Sequence, residues 1–140
     1  MLDIALFAAL AAANPITCPL VLDDAWSPDA PPTARMRAAY GTLRNPGDRD
    51  LVVTSLASPD FGMVQLHESF NDDGVEKMRR IEPYTVAAGG SITLAPRGKH
   101  VMLMRPLHDI ASGSTITVEI EVEGCDTPSR VEIPVRPRED

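Results

Sequence analysis

Met63-Val64-Gln65-Leu66-His67-Glu68-Ser69 is followed by Asn71-Asp72-Asp73-Gly74 and then by Val75 to Ile81. Val64 and Leu66 alternate with Met63, Gln65 and His67, the period of two that a half-buried strand requires. The polar tetrad ending in Gly74 is a turn signal, so Val75 to Ile81 returns as the hairpin partner. A four-residue loop would place His67 directly opposite Met78. A tight Asp73-Gly74 turn would instead set Met78 opposite Ser69 and diagonal to His67. Either register keeps His67 and Met78 on one face.

Outward from this hairpin the same signals recur. Thr17 to Leu22 reads as a short strand, and Asp24 to Pro28, with the run on to Pro32, as an irregular crossing. Met36 to Leu43 is a strand stopped by Asn45-Pro46-Gly47-Asp48. Leu51 to Leu56 is rich in Val and Thr and is broken at Pro59-Asp60. Ser91 to Ala95 and His100 to Met104 flank the Pro96-Arg97-Gly98 turn. Ser114 to Glu123 and Arg130 to Val135 flank the turn of residues 124–129. Short strands spaced about 8–12 residues apart, with no convincing helix, predict an all-β Greek-key sandwich or barrel. Thirteen prolines and nine glycines in 140 residues suit that reading. The length allows one domain, expected over residues 17–136.

A net charge of −7 argues against a nucleic-acid surface, which needs clustered Lys and Arg. Ile4 to Ala13 is a ten-residue apolar run closed by Ala11-Ala12-Ala13. It reads as an export signal over residues 1–13, although Asp3 stands where a basic residue is usual; the alternative is a hydrophobic arm that stays. The run is too short to span a bilayer as a helix, so an integral membrane protein is not expected. In an exported chain Cys18 and Cys125 would join the first strand to the last hairpin as a disulfide. Otherwise they are two buried thiols.

The chemistry lies in the histidines and methionines. The chain has three His and six Met, and His67, Met78, His100 and Met102 fall in one patterned stretch. Thioether sulfur is soft and selects Cu(I), while imidazole serves copper and zinc alike. Two of each, with no thiolate or carboxylate, make a poor site for Zn(II) or hard cations. His100 and Met102 share a face as i and i+2 of one strand. Val64, Leu66, Val101 and Leu103 claim the buried face, so the ligand face is expected to be exposed. Met63 and Met104 lie on the ligand face by alternation and could enter the shell. His108, Met1 and Met36 are expected to be ordinarily buried or solvated residues.

The spacing His, ten residues, Met, twenty-one residues, His, one residue, Met resembles the signature of the PCu(A)C-type periplasmic copper chaperones, and His67, Met78, His100 and Met102 fit it without a gap. At this chain's composition a given His acquires the other three by chance about 4 times in 100,000. Asp24-Ala25-Trp26, Ala39-Tyr40-Gly41-Thr42-Leu43 with Asn45, Gln65-Leu66-His67-Glu68, Ala88-Gly89-Gly90 and His100-Val101-Met102-Leu103-Met104 are similar to landmarks of that family. The resemblance runs from about Thr17 to Val135. It implies a cupredoxin-like β fold and an exported, periplasmic monomer that binds Cu(I). It also implies donation to the dinuclear copper site of cytochrome c oxidase subunit II, alongside a Sco-type thiol protein. This chain carries no His- and Met-rich C-terminal tail, so one Cu(I) per chain is expected.

Other functions fit less well. A blue-copper electron carrier needs a Cys ligand with His and Met nearby, and no histidine follows Cys125. No nucleophile-elbow motif supports a hydrolase, and an enzyme is not expected. The serious alternative is a metal-free exported β-sandwich that binds another protein.

Overall fold

A computed structural model describes residues 18–137. The export-signal segment expected at residues 1–13 lies outside them. Ten strands make up the fold: β1 (Val21–Pro28), β2 (Met36–Arg44), β3 (Leu51–Ala57), β4 (Phe61–Asp72), β5 (Val75–Arg80), β6 (Tyr84–Val86), β7 (Ser91–Leu94), β8 (Lys99–Pro106), β9 (Thr115–Val122) and β10 (Ser129–Arg136). Strand β4 pairs with β8, β8 with β2, β2 with β1, β1 with β10, β10 with β9 and β9 with β3. Leu56 of β3 then meets Val64 of β4, and the ring closes into a barrel. Strand β7 wedges between β2 and β8, antiparallel to the first and parallel to the second. Of the two architectures expected, sandwich or barrel, the closed barrel is the one formed.

Closure follows from alternation. Val53, Leu66, Leu103, Ile116, Val118 and Ile133 point inward and are fully buried. Each such side chain contributes about 1.5–3 kcal/mol relative to exposure. Asn45 is also fully buried: its Nδ2 donates to the carbonyls of Arg49 and Val86 at 2.8 and 3.0 Å, and its Oδ1 accepts from Gly47 N at 3.0 Å. The turn expected at Asn45 to Asp48 is thus anchored to the barrel end.

Two stretches differ from expectation. Asp24 to Pro28 is not an irregular crossing but part of β1, whose pairing with β2 shifts register between Asp23 and Trp26. Asp24 sits at φ 54° in that irregularity. Opposite it stands Gly41 at φ 147°, where a Cβ would lie 2.8 Å from Asp23 O, so only glycine lets the bulged strand approach. Residues 18–20 are not in a strand, and Tyr84–Val86, passed over in the sequence, pairs with β3 at the edge. Cys18 and Cys125 form a disulfide with Cα atoms 5.8 Å apart, tying the segment before β1 to the β9–β10 turn.

Candidate functional site

Strand β8 runs between β4 and β2 and fixes the site. In the antiparallel β4–β8 pair His67 stands directly opposite His100, Gln65 opposite Met102 and Met63 opposite Met104. On the far side of β8, Ala38 meets Met102 and Met36 meets Met104. Directly paired residues point to one face of a sheet, and i, i+2 neighbours share it. Three cross-strand rows therefore lie on the barrel's outer face: His67 with His100, Gln65–Met102–Ala38, and Met63–Met104–Met36.

The β4–β5 hairpin closes with Asp73 at φ 56° and Gly74 at φ 85°, the two left-handed residues of a type I′ turn. That tight turn sets the register: Met78 faces Ser69, and Arg80 faces His67. Of the two registers open in the sequence, the diagonal one is formed. Met78 is therefore on the face of His67, about 7–8 Å away as a diagonal neighbour rather than directly opposite. Its side chain is 56% exposed. All four patterned residues share one face, with the two histidines adjoining and the two methionines one step to either side.

Burial departs from expectation. The face was expected to be exposed, yet His100 is only 3% and Met102 only 6% accessible. β8 is the middle strand of three, and its outward side chains are enclosed by neighbours on both sides. His67 is half-buried and Met78 alone is open.

The two imidazoles lie with ring centroids 5.9 Å apart and planes at 60°. His100 Nδ1 donates to the Gly98 carbonyl at 3.1 Å, and the same oxygen accepts from Ser69 N at 3.1 Å. His67 Nε2 donates to Gln65 Oε1 at 2.8 Å. Each ring thus uses one nitrogen as donor, and in the neutral imidazole the other carries a bare lone pair. Those other atoms, His67 Nδ1 and His100 Nε2, are buried and have no hydrogen-bond partner. An unsatisfied buried polar atom costs about 1–3 kcal/mol. Among the described residues the other buried atoms of this kind are Nε and Nη1 of Arg37, whose Nη2 donates to the carbonyls of Pro31 and Ile110. Burial pushes the His67 imidazole below its ordinary value, and the His100 ring acts in the same direction. Glu82, fully buried and paired with Arg80 at 3.2 Å, works the opposite way, while Arg80 adds to the lowering.

Two imidazoles with thioethers beside them make a soft, mixed donor set. One nitrogen of each ring is tied to a side-chain amide or a backbone carbonyl, the arrangement found behind metal-ligating histidines. The nearby donors are thioethers. Among the described residues no three of His, Cys, Asp and Glu converge. Sequence reasoning missed the part of Gln65 and Gly98 in orienting the rings. Gln65 was readable as a face-mate of His67, but nothing in the sequence points to the Gly98 carbonyl. His108 is elsewhere engaged, with Asp60 Oδ1 at 2.9 Å and the Asp109 carbonyl at 2.8 Å.

A small all-β barrel carrying two adjoining histidines and two flanking methionines on one outer face is the class of protein defined here. The chain belongs to the family described as "Putative lipoprotein LpqE-like", which it matches over residues 20–135. It is 32% identical over 102 residues to "Putative lipoprotein Lxx21020" of Leifsonia xyli subsp. xyli, covering 72% of this chain and 61% of that one. It is 27% identical over 82 residues to the uncharacterized protein RP573 of Rickettsia prowazekii, covering 58% of this chain and 45% of that one. The matches thus span about half of the length of these curated relatives. Among solved structures, the solution structure of Cu(I)-DR1885 from Deinococcus radiodurans is 28% identical with a TM-score of 0.65, covering 97% of this chain and 88% of that one. The copper-bound PCuAC domain from PmoF2 has the same fold at 16% identity, with a TM-score of 0.66 over 90% of this chain and 100% of that domain. The family and fold implied by the His–Met spacing are those found.

Proposed function

We propose that this protein is an exported metallochaperone that binds one Cu(I) tightly through His67, Met78, His100 and Met102. The observation that carries the reading is the pair of buried, unpartnered ring nitrogens on cross-strand neighbours, with thioethers to either side. The copper-bound PCuAC domain and Cu(I)-DR1885 support it as structural relatives. His67 Nδ1 and His100 Nε2 would supply the nitrogen donors, Met102 a buried sulfur and Met78 an exposed one. Soft sulfur favours Cu(I) over Cu(II) and Zn(II), so cargo is held without redox chemistry and without a thiolate.

The lipoprotein names of the relatives and the Cys18–Cys125 disulfide both fit an exported, periplasmic protein. Among the described residues there is no helix long and apolar enough to cross a membrane. The recipient we propose is the dinuclear copper site of cytochrome c oxidase subunit II, with a Sco-type protein as companion and this chain acting as a monomer. Anaerobic competition titration against a Cu(I) chelator tests the binding. About one tight equivalent is expected, with weaker uptake of Cu(II) and Zn(II). His67→Ala should weaken it and His108→Ala should not. Absence of uptake at one equivalent, or tighter binding of Zn(II), overturns the reading.

A further inference from the structure

The Met63–Met104–Met36 row lies outside the histidine site. Met104 is paired directly with Met63 on one side and with Met36 on the other. Half of the chain's six methionines therefore occupy one cross-strand row. Neighbours in such a row have Cβ atoms about 4.5–5.5 Å apart. Methionine is unbranched with three rotatable bonds, so the outer two sulfurs can swing inward to meet above Met104. The row is open to solvent: Met36 is 60% exposed, and Met63 and Met104 are half-buried. A large exposed apolar side chain at the end of a row of thioethers is poorly explained by core packing.

We infer that Met36, Met63 and Met104 form a second, weaker Cu(I) site made of thioethers alone. Three neutral soft donors with no imidazole, thiolate or carboxylate select Cu(I), or its analogue Ag(I), over Cu(II) and Zn(II). No ligand in the set takes up a proton in the physiological range, so its affinity is independent of pH. Met102 lies at i+2 from both His100 and Met104, about 6.8 Å along the strand from each row. It thus stands between the two sites, and copper can enter at the open row and pass to the histidines by way of the intervening Met102 sulfur. The second site rests on thioether chemistry and register alone and does not require the histidine site to be correct.

The test is titration of the full chain, labelled with ¹³C at the methionine methyls, with Ag(I) and with Cu(I) under anaerobic conditions. On the proposed function the first equivalent moves the Met78 and Met102 signals. The second should move Met36, Met63 and Met104 together, with apparent affinity equal within about twofold at pH 7 and pH 5.5 because no ligand titrates. The Met36→Leu/Met63→Leu/Met104→Leu variant nearly conserves volume and should keep the first equivalent while losing the second. Should that variant not fold, the methyl shifts of the unaltered chain decide alone. Unmoved methyls at Met36, Met63 and Met104 in excess Ag(I), or their moving together with Met78 and Met102 at the first equivalent, overturns the second site. If these three move while Met78 and Met102 do not, the histidine site fails and the thioether site stands.

Discussion

Met102 separates packing from ligation, because it is both buried and on the ligand face. At 6% accessibility, between Gln65 and Ala38, its side chain is enclosed like a core residue. Met102→Ala should therefore cost about 2–5 kcal/mol through lost contacts and the cavity left behind. At about 4 °C per kcal/mol, that lowers the melting temperature by roughly 8–20 °C. Met102→Leu keeps the volume and should cost less than about 1.5 kcal/mol. Its effect on Cu(I) should nonetheless be large. Loss of a group that merely orients a ligand costs about 10–100-fold in affinity, so removing the sulfur itself should exceed about tenfold. Thermal melts of the apo proteins and Cu(I) competition titrations measure the two effects on the same samples. A Met102→Leu protein that melts near wild type and binds Cu(I) equally well would refute the assignment of Met102 as a ligand.

Gln65→Leu removes the acceptor that fixes the His67 tautomer while leaving every donor in place, and should weaken Cu(I) binding about 10–100-fold. Unchanged affinity in the same titration counts against that role. Burial holds the His67 imidazole below its ordinary value of 6.5. The unfolded chain therefore takes up that proton first, and the stability linked to His67 is complete above about pH 6.5 and falls as pH drops below it. Cu(I) affinity should fall in the same direction, approaching a limit of two protons per copper as both imidazoles must be neutral to ligate. Denaturant midpoints and apparent dissociation constants from pH 8 to pH 5 check both, and flat profiles would make His67 a bystander. Breaking the disulfide frees a loop of 107 residues, for which chain entropy alone gives about 4.7 kcal/mol. Ser129 Oγ, 2.7 Å from the Cys18 carbonyl and 3.2 Å from Leu20 N, still docks the segment, so the measured loss of the Cys18→Ala/Cys125→Ala variant should fall below that. A denaturant titration showing a loss above it would mean the bridge does more than restrict the unfolded chain.

Alternation made most of the barrel readable. Val64 and Leu66 against Gln65 and His67 fixed which residues face inward, and turn residues at Asn45 and Gly74 marked where strands end. The same logic failed at burial. A period of two says which residues share a face, but not whether that face is covered. β8 has strands on both sides, so His100 and Met102 are enclosed although they point away from the core. The Asp24 to Pro28 segment was missed because its proline and acidic residues disguise a bulged strand, whose room comes from Gly41 on the neighbouring chain segment. Tyr84–Val86 is too short for any period to show. The methionine row needed registers among three strands remote in sequence, and no local pattern carries those.

Strand β5 pairs with β4 alone, and all six of its residues are exposed. Arg80, at its base, reaches the buried Glu82 at 3.2 Å, but toward the tip the ties of Lys77 to Asp72 at 2.7 Å and Arg79 to Glu68 at 2.9 Å are surface ion pairs worth about 0–1 kcal/mol each. The ribbon should therefore open by itself, and its amides should exchange with solvent far faster than those of β8, whose exposure requires the barrel to unfold. Met78 rides on the ribbon, whereas His100 and Met102 ride on the barrel. Residence time and affinity are then controlled by different parts of the chain. Charge changes along β5 short of Arg80, which faces His67, would tune how quickly a recipient can displace the last thioether, leaving the depth of the well at the two imidazoles almost untouched.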